Sequence, residues 1–197
     1  MVPRGYDACR GLSRHADAAR LREETVSDTP RGFWGAARAE PDRIAVVDAD
    51  ERQWTAGEVL AGANRIVHAL RARGVRTGDV VATLTRNRAE LLQTLLAVFQ
   101  AGWQYVPINT HLTAEEVAYI VDDCDAQVII VSATLRDTAV ELVDKMPNVK
   151  IRLAVGGHID GYDDYEAALA RYPAAAAALS VAGLSETPAS AKVAMPV

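Results

Sequence analysis

Two short runs of apolar residues, Val80 to Leu84 and Val128 to Val131, constrain the fold more than any other feature of the sequence. Neither run alternates with polar residues, which is typical of strands in a parallel sheet that is covered on both faces. The segment 86–112 lies between them and is predicted to form a helix, a turn at Gly102 and a short strand that ends near Pro107. The sequence therefore predicts a βαβαβ unit.

The helix at the centre of this unit is predicted from its cap and its apolar spacing. Asn87 is expected to cap it, with Glu90 three residues further on. Apolar residues then recur at helical spacing, which predicts a buried stripe of Leu91, Leu92, Leu95, Leu96, Val98 and Phe99.

Further elements are predicted on both sides of this unit. The runs IAVV and RQWT, joined by polar residues 48–51, predict an N-terminal β-hairpin. Thr55 with Glu58 and Thr113 with Glu116 form capping-box patterns that open two more helices. The predicted fold class is α/β, with a doubly wound, mostly parallel sheet flanked by helices and preceded by that hairpin.

The chain of 197 residues is predicted to contain one folded unit between two tails. Residues 1–30 carry mixed charge and few large apolar side chains, so we expect a disordered arm. Residues 31–172 are expected to form the α/β subdomain. Residues 173–197, which include five consecutive alanines and lack apolar periodicity, are expected to form a frayed tail.

Charge and composition exclude several classes of function. The formal net charge of -5 argues against nucleic-acid binding, which usually needs a basic surface. No apolar run is long enough to predict a membrane span or a signal peptide, whereas peripheral contact with a membrane stays open. Cys9 and Cys124 form neither a disulfide framework nor a metal-ligand spacing, which favours a reducing, cytoplasmic location.

No catalytic, cofactor-binding or metal-binding residue can be assigned from motifs, because HExxH, GxSxG, GxGxxG and GxxxxGK[ST] are all absent. Asn109, Thr110 and His111 follow a predicted strand, where open α/β sheets bind ligands, so they are a candidate ligand-facing loop. A polar loop before a helix cap is the more common alternative. Gly156 to His158 also follow a strand, but three aspartates come soon after, so a plain turn is the preferred interpretation.

Several signatures in a fixed order carry a resemblance to a known family. They are PDRIAVVD, RGVRTGDVV, AVFQAGWQYVPIN, LTAEEVAYIVDD and YEAALA, within the region from Phe33 to Leu184. This region resembles the N-terminal part of AMP-forming acyl-CoA synthetases, in the adenylate-forming ligase superfamily. Among its branches, PINTHLTAEEVAYI is most like fatty-acid–CoA ligases.

The resemblance implies that a fatty acid or related carboxylate reacts with ATP to give an acyl-adenylate, and that the acyl group then passes to coenzyme A. ATP, Mg²⁺ and coenzyme A are thus the cofactors implied for full-length members. The phosphate loop and later motifs of the family have no counterpart in this truncated sequence, so we expect the chain to be inactive alone. The alternative is a non-catalytic interaction module that associates with an intact or complementary ligase chain. A decayed gene product without a function also stays open.

Overall fold

The computed structural model describes residues 32–176. The arm predicted at residues 1–30 and most of the tail predicted at residues 173–197 lie outside the described residues. In chain order the described elements are α1 (Phe33–Ala39), β1 (Ile44–Val47), β2 (Gln53–Thr55), α2 (Ala56–Ala72), β3 (Val80–Leu84), α3 (Ala89–Ala101), β4 (Gln104–Pro107), α4 (Ala114–Asp123), β5 (Ala126–Ser132), a 3₁₀ turn (Ala133–Leu135), α5 (Arg136–Leu142), β6 (Ile151–Val155), β7 (Asp163–Asp164) and α6 (Tyr165–Ala170).

The main sheet has the strand order β4-β3-β5-β6-β7, and every neighbouring pair in it is parallel. β3 lies between β4 and β5, so that Val81 is paired with Tyr105 on one side and with Val128 on the other. β1 and β2 form a separate antiparallel hairpin. The predicted fold class, a mostly parallel sheet flanked by helices with an N-terminal hairpin, is confirmed.

Helices cover both faces of the sheet, and each face has its own apolar core. One core joins α2, α3 and α6 to the sheet, and the other joins α4 and α5 to its opposite face. β3 contributes Val81 to the first core and Ala82 to the second. All five residues of β3 are therefore buried, which is why the strand has no polar alternation.

Local signals predicted the starts of α2 and α4 correctly. The Thr55 hydroxyl accepts a hydrogen bond from the Glu58 N–H at 3.1 Å, and the Glu58 carboxylate accepts one from the Thr55 N–H at 2.8 Å. Thr113 and Glu116 form the same reciprocal pair. Each pair satisfies N–H groups that a helix start otherwise leaves without a partner.

The predicted cap of α3 is wrong. The helix begins at Ala89, and its N-cap position is Arg88 rather than Asn87. The Ala89 N–H donates instead to Oδ1 of Asp48, 2.8 Å away, in the turn of the β1–β2 hairpin. The other oxygen of Asp48 accepts a hydrogen bond of 2.7 Å from the Trp54 indole. A residue 41 positions away in sequence thus caps α3, which spacing along the helix cannot reveal.

The buried stripe predicted on α3 is wrong in part. Leu96 and Val98 are buried as predicted, but Phe99 is 60% exposed. The other predicted members, Leu91, Leu92 and Leu95, are only partly buried. The buried polar residues of α3 are Glu90, Gln93, Thr94 and Gln100.

These polar side chains are buried where α2 packs against α3, and their partners come from α2 or from α3 itself. The Gln100 amide donates to the Asn64 side chain of α2 at 3.0 Å. The Thr94 hydroxyl donates to the Glu90 carbonyl at 2.8 Å. Gly62 of α2 leaves room for Gln93, since a Cβ atom at Gly62 would overlap the Gln93 side-chain amide carbon. The polar face of α3 thus fits against α2, and the spacing of apolar residues along α3 cannot predict this contact.

Candidate functional site

The carboxyl ends of the parallel strands meet along one edge of the sheet. The chain leaves β3 toward β4 on one side, and then returns to β5 on the other side of β3. This reversal puts a topological switch point between β3 and β5. In open α/β sheets, ligands bind in the crevice outside the carboxyl ends of the strands at such a point.

Hydroxyl groups line the switch point. The Thr85 hydroxyl, just after β3, is buried and makes no hydrogen bond. Ser132, the last residue of β5, is 1% exposed, and its hydroxyl lies 3.0 Å from the Thr134 hydroxyl. Such groups can exchange hydrogen bonds with a ligand or with backbone. Sequence reasoning missed them, although Thr85 and Ser132 each follow an apolar run and could have been found there.

The loop predicted to face a ligand follows β4, at the far side of β3 from the switch point. The Asn109 carboxamide oxygen accepts a hydrogen bond of 3.0 Å from the His111 N–H, which forms a local turn. Asn109 and His111 are exposed, and Thr110 is partly buried. This geometry is that of a polar turn before the α4 cap, so a ligand-facing role for the loop stays a prediction.

A cleft of about 620 Å³ opens between α2, α3 and α6. Its polar and aromatic lining includes Trp54, Arg65, Glu90, Gln93, Tyr165 and Glu166. Glu90 is 8% exposed and forms an ion pair of 3.2 Å with Arg88. Burial raises the pKa of the Tyr165 hydroxyl strongly, the charge of Glu90 raises it further, and the Thr94 hydroxyl lowers it in part. The folded state thus favours the neutral form of Tyr165.

The turn at residues 156–158 lies beside this cleft. The Gly156 N–H donates to the Glu166 carboxylate at 3.0 Å, and His158 Nε2 lies 3.0 Å from the Asp160 carboxylate. Both groups that could contact a phosphate are therefore paired with carboxylates. This arrangement agrees with the interpretation of the segment as a plain turn.

The described residues do not assemble a metal centre or a reactive thiol. Within residues 32–176, no group of three or more His, Cys, Asp or Glu side chains could hold a metal ion. Burial raises the pKa of the Cys124 thiol, and the neighbouring Asp123 and Asp125 charges raise it further. The thiolate of Cys124 is thus disfavoured, and it is the thiolate that reacts as a nucleophile. In the same part of the chain, no helix is long and apolar enough to cross a membrane.

Comparison with known proteins gives consistent matches. The family model described as AMP-binding enzyme matches residues 33–191. The chain is 34% identical over 128 residues to a medium/long-chain-fatty-acid–CoA/3-oxocholest-4-en-26-oate–CoA ligase of Mycobacterium marinum, and the match covers 64% of this chain and 22% of the ligase. It is 30% identical over 152 residues to tyrocidine synthase 2 of Brevibacillus parabrevis, where the match covers 71% of this chain and 4% of that protein.

Solved structures match the described fold. The anthranilate CoA ligase AuaEII in complex with anthranoyl-AMP superimposes with a TM-score of 0.69 and 27% sequence identity. The match covers 74% of this chain and 28% of that structure. The chain thus spans about a quarter of the length of the CoA ligases that it matches.

Proposed function

The chain belongs to the AMP-binding enzyme family, and we propose that it is the N-terminal part of an AMP-forming acyl-CoA synthetase. The whole enzyme would convert a fatty acid or related carboxylate and ATP to an acyl-adenylate and pyrophosphate, and then transfer the acyl group to coenzyme A. The single observation that carries this proposal is the family match over residues 33–191, supported by a CoA ligase that is 34% identical. A cytoplasmic location and a role in fatty-acid metabolism belong to the same proposal.

We propose further that this part does not catalyse the reaction by itself. Within residues 32–176, no group of three or more His, Cys, Asp or Glu side chains could hold a metal ion without help from a ligand. The Gly156 N–H, which follows a strand end, already donates to the Glu166 carboxylate. A carboxylate at that place would repel a phosphate. The hydroxyls of Thr85 and Ser132 can position a ligand, but they carry no positive charge that would stabilise the phosphates of ATP.

ATP–pyrophosphate exchange tests this proposal. A fused enzyme would be made in which this chain replaces the matching N-terminal part of the M. marinum ligase. We expect acid-dependent exchange by the fused enzyme with a medium-chain fatty acid, and none by the 197-residue chain alone. An amino acid belongs in the same panel of acids, because one relative is a tyrocidine synthase.

Different results would refute the two parts of the proposal, which are the role in acyl activation and the inactivity of the chain alone. Acid-dependent exchange by the 197-residue chain alone would show that it is active without the rest of a ligase. A fused enzyme without exchange, beside an active parent ligase, would count against a role in acyl activation.

A second candidate function is a non-catalytic module that associates with an intact or complementary ligase chain. Exposed apolar residues favour it, since Val47 and Phe99 are each 60% exposed. Large apolar side chains left exposed at a surface are available for contact with a partner. Sedimentation of the chain as a sharp monomer, together with no binding of a dye for apolar surfaces, would argue against this function.

A further inference from the structure

The chain that leaves α6 is held on α2 by two side chains. Residues 173–176, the outgoing segment, follow α6 and form neither helix nor strand. The Asn64 side-chain amide donates to the Ala174 carbonyl at 2.8 Å. His68 Nε2 lies 3.2 Å from the Ala175 carbonyl, and because a carbonyl oxygen can only accept, this nitrogen carries the hydrogen. Two consecutive carbonyls are thus bonded to side chains that lie one helical turn apart on α2.

The outgoing segment offers little else by which it could be attached. Its side chains are those of Pro173 and three alanines, which have no polar group and little apolar area. Pro173, Ala175 and Ala176 are exposed, and Ala174 is only partly buried. We therefore attribute the place of this segment on α2 to the hydrogen bonds that its carbonyls accept.

Asn64 is fixed in the orientation that this contact needs. It is 3% exposed, and its side-chain oxygen accepts a hydrogen bond of 3.0 Å from the Gln100 amide of α3. The Gln100 oxygen in turn accepts a hydrogen bond of 3.2 Å from the Trp34 indole of α1. Because the Asn64 oxygen faces Gln100, its NH₂ group faces the outgoing segment. Three helices therefore determine where the Ala174 carbonyl is held, and a buried polar network of this kind specifies one geometry.

We propose that Asn64, assisted by His68, is a positioning residue for activation of the acid, because it fixes the backbone that connects α6 to the rest of the matched region. The inference rests on the proposed function. The AMP-binding family match continues through residue 191, so the segment held at Ala174 and Ala175 leads directly into further matched residues. Release of the segment would shift those residues relative to the sheet. A shift of about 1 Å at a reacting centre can lower a rate by about a hundredfold.

Cleavage by elastase tests whether the two side chains hold the outgoing segment. Elastase cuts after small residues, so the alanines of the segment are suitable sites. In Asn64→Asp the ionised carboxylate can still accept from Gln100 but has no N–H to donate, and in His68→Phe the ring has no donor. We expect both variants of the 197-residue chain to be cut after Ala174 and Ala175 several-fold faster than the unchanged chain, as mass spectrometry of the fragments measures.

Two controls separate this effect from a general loss of stability. His68→Gln keeps a side-chain N–H that can donate to the Ala175 carbonyl, so it should be cut more slowly than His68→Phe. Asp48→Ala removes the cap of α3 at the opposite end of that helix from Gln100, and it should not speed cleavage after Ala174. If Asn64→Asp is cut no faster than Asp48→Ala, the proposal is overturned.

ATP–pyrophosphate exchange by the fused enzyme tests the positioning role. We expect Asn64→Asp and His68→Phe to lower kcat by about tenfold with a smaller change in the KM for ATP, whereas His68→Gln and Asp48→Ala keep most of the kcat. An unchanged kcat in Asn64→Asp and His68→Phe, beside faster elastase cleavage, would overturn the positioning role and leave the proposed function standing. A fused enzyme without any exchange would refute the proposed function and the positioning role with it, while the elastase comparison would still show whether Asn64 and His68 hold the segment.

Discussion

The Asp48 side chain connects the β1–β2 hairpin to the start of α3, two elements that are distant in sequence. One carboxylate oxygen accepts the Ala89 N–H at 2.8 Å, at the first turn of α3, and the other accepts the Trp54 indole N–H at 2.7 Å. The side chain is partly buried, so water replaces these bonds only incompletely. Asp48→Ala should therefore destabilise both the start of α3 and the attachment of the hairpin.

The size of the effect follows from the two bonds. Loss of a helix cap costs about 1 kcal/mol, and loss of a hydrogen bond to a charged acceptor costs roughly 1.5 kcal/mol. We expect Asp48→Ala to lower the free energy of unfolding by about 2–3 kcal/mol, equivalent to a fall in Tm of roughly 10 °C for a domain of this size. Asp48→Asn should lose about half as much, because asparagine caps helices nearly as well as aspartate but cannot accept with both side-chain atoms.

Urea unfolding followed by circular dichroism measures these differences, with Asp50→Ala as the control. Asp50 lies in the same turn, is exposed, and accepts only a long contact of 3.4 Å from the Arg52 N–H. Its replacement should change the free energy of unfolding by less than about 0.5 kcal/mol. If Asp48→Ala is no more destabilising than Asp50→Ala, the long-range cap does not stabilise the fold and this reasoning is wrong.

Two further predictions concern the packing on each side of the sheet. Gly62→Ala places a Cβ against Gln93 and should lower the free energy of unfolding by about 1–3 kcal/mol. The loss should be smaller when Gln93 is also replaced by alanine. A double-mutant cycle followed by urea unfolding measures this difference. Burial raises the pKa of Tyr162 to about 12, and its hydroxyl donates to the Ala139 carbonyl at 3.1 Å. The folded state favours the neutral form of Tyr162. Its contribution to the free energy of unfolding is therefore complete below about pH 10, the pKa of tyrosine in the unfolded chain, and is lost as pH rises toward 12. We expect the free energy of unfolding to fall more steeply between pH 10 and 12 in the unchanged chain than in Tyr162→Phe. Equal slopes would contradict this prediction.

The sequence revealed those parts of the fold whose causes are local. The apolar runs of β3 and β5 predicted buried parallel strands because both faces of each strand must meet an apolar core. The capping boxes at Thr55 and Thr113 were predicted because all their atoms lie within four residues. The α3 cap was missed because its acceptor, Asp48, comes from another element.

The sequence did not point to Thr85 and Ser132 because their position also depends on contacts between distant elements. Asn109 to His111 follow a strand, but which strand adjoins the switch point depends on the order of strands in the sheet. That order puts Thr85 and Ser132 at the switch point, and it puts β4 at the end of the sheet in the described part of the chain. Sequence gives the succession of strands, whereas their lateral order comes from tertiary packing.

Two features limit what the described residues achieve: α3 leaves apolar surface exposed, and the groups at the switch point are uncharged hydroxyls. A helix that buries Glu90 and Gln93 while exposing Phe99 gives up apolar burial that a solitary domain would gain by the reverse arrangement. The hydrogen bonds that Gln100 makes with Asn64 and Trp34 offset part of that loss. The hydroxyls of Thr85 and Ser132 can likewise orient a ligand but cannot supply the charge stabilisation that acyl activation by ATP requires. Charge stabilisation of a phosphate would therefore have to come from groups other than these hydroxyls.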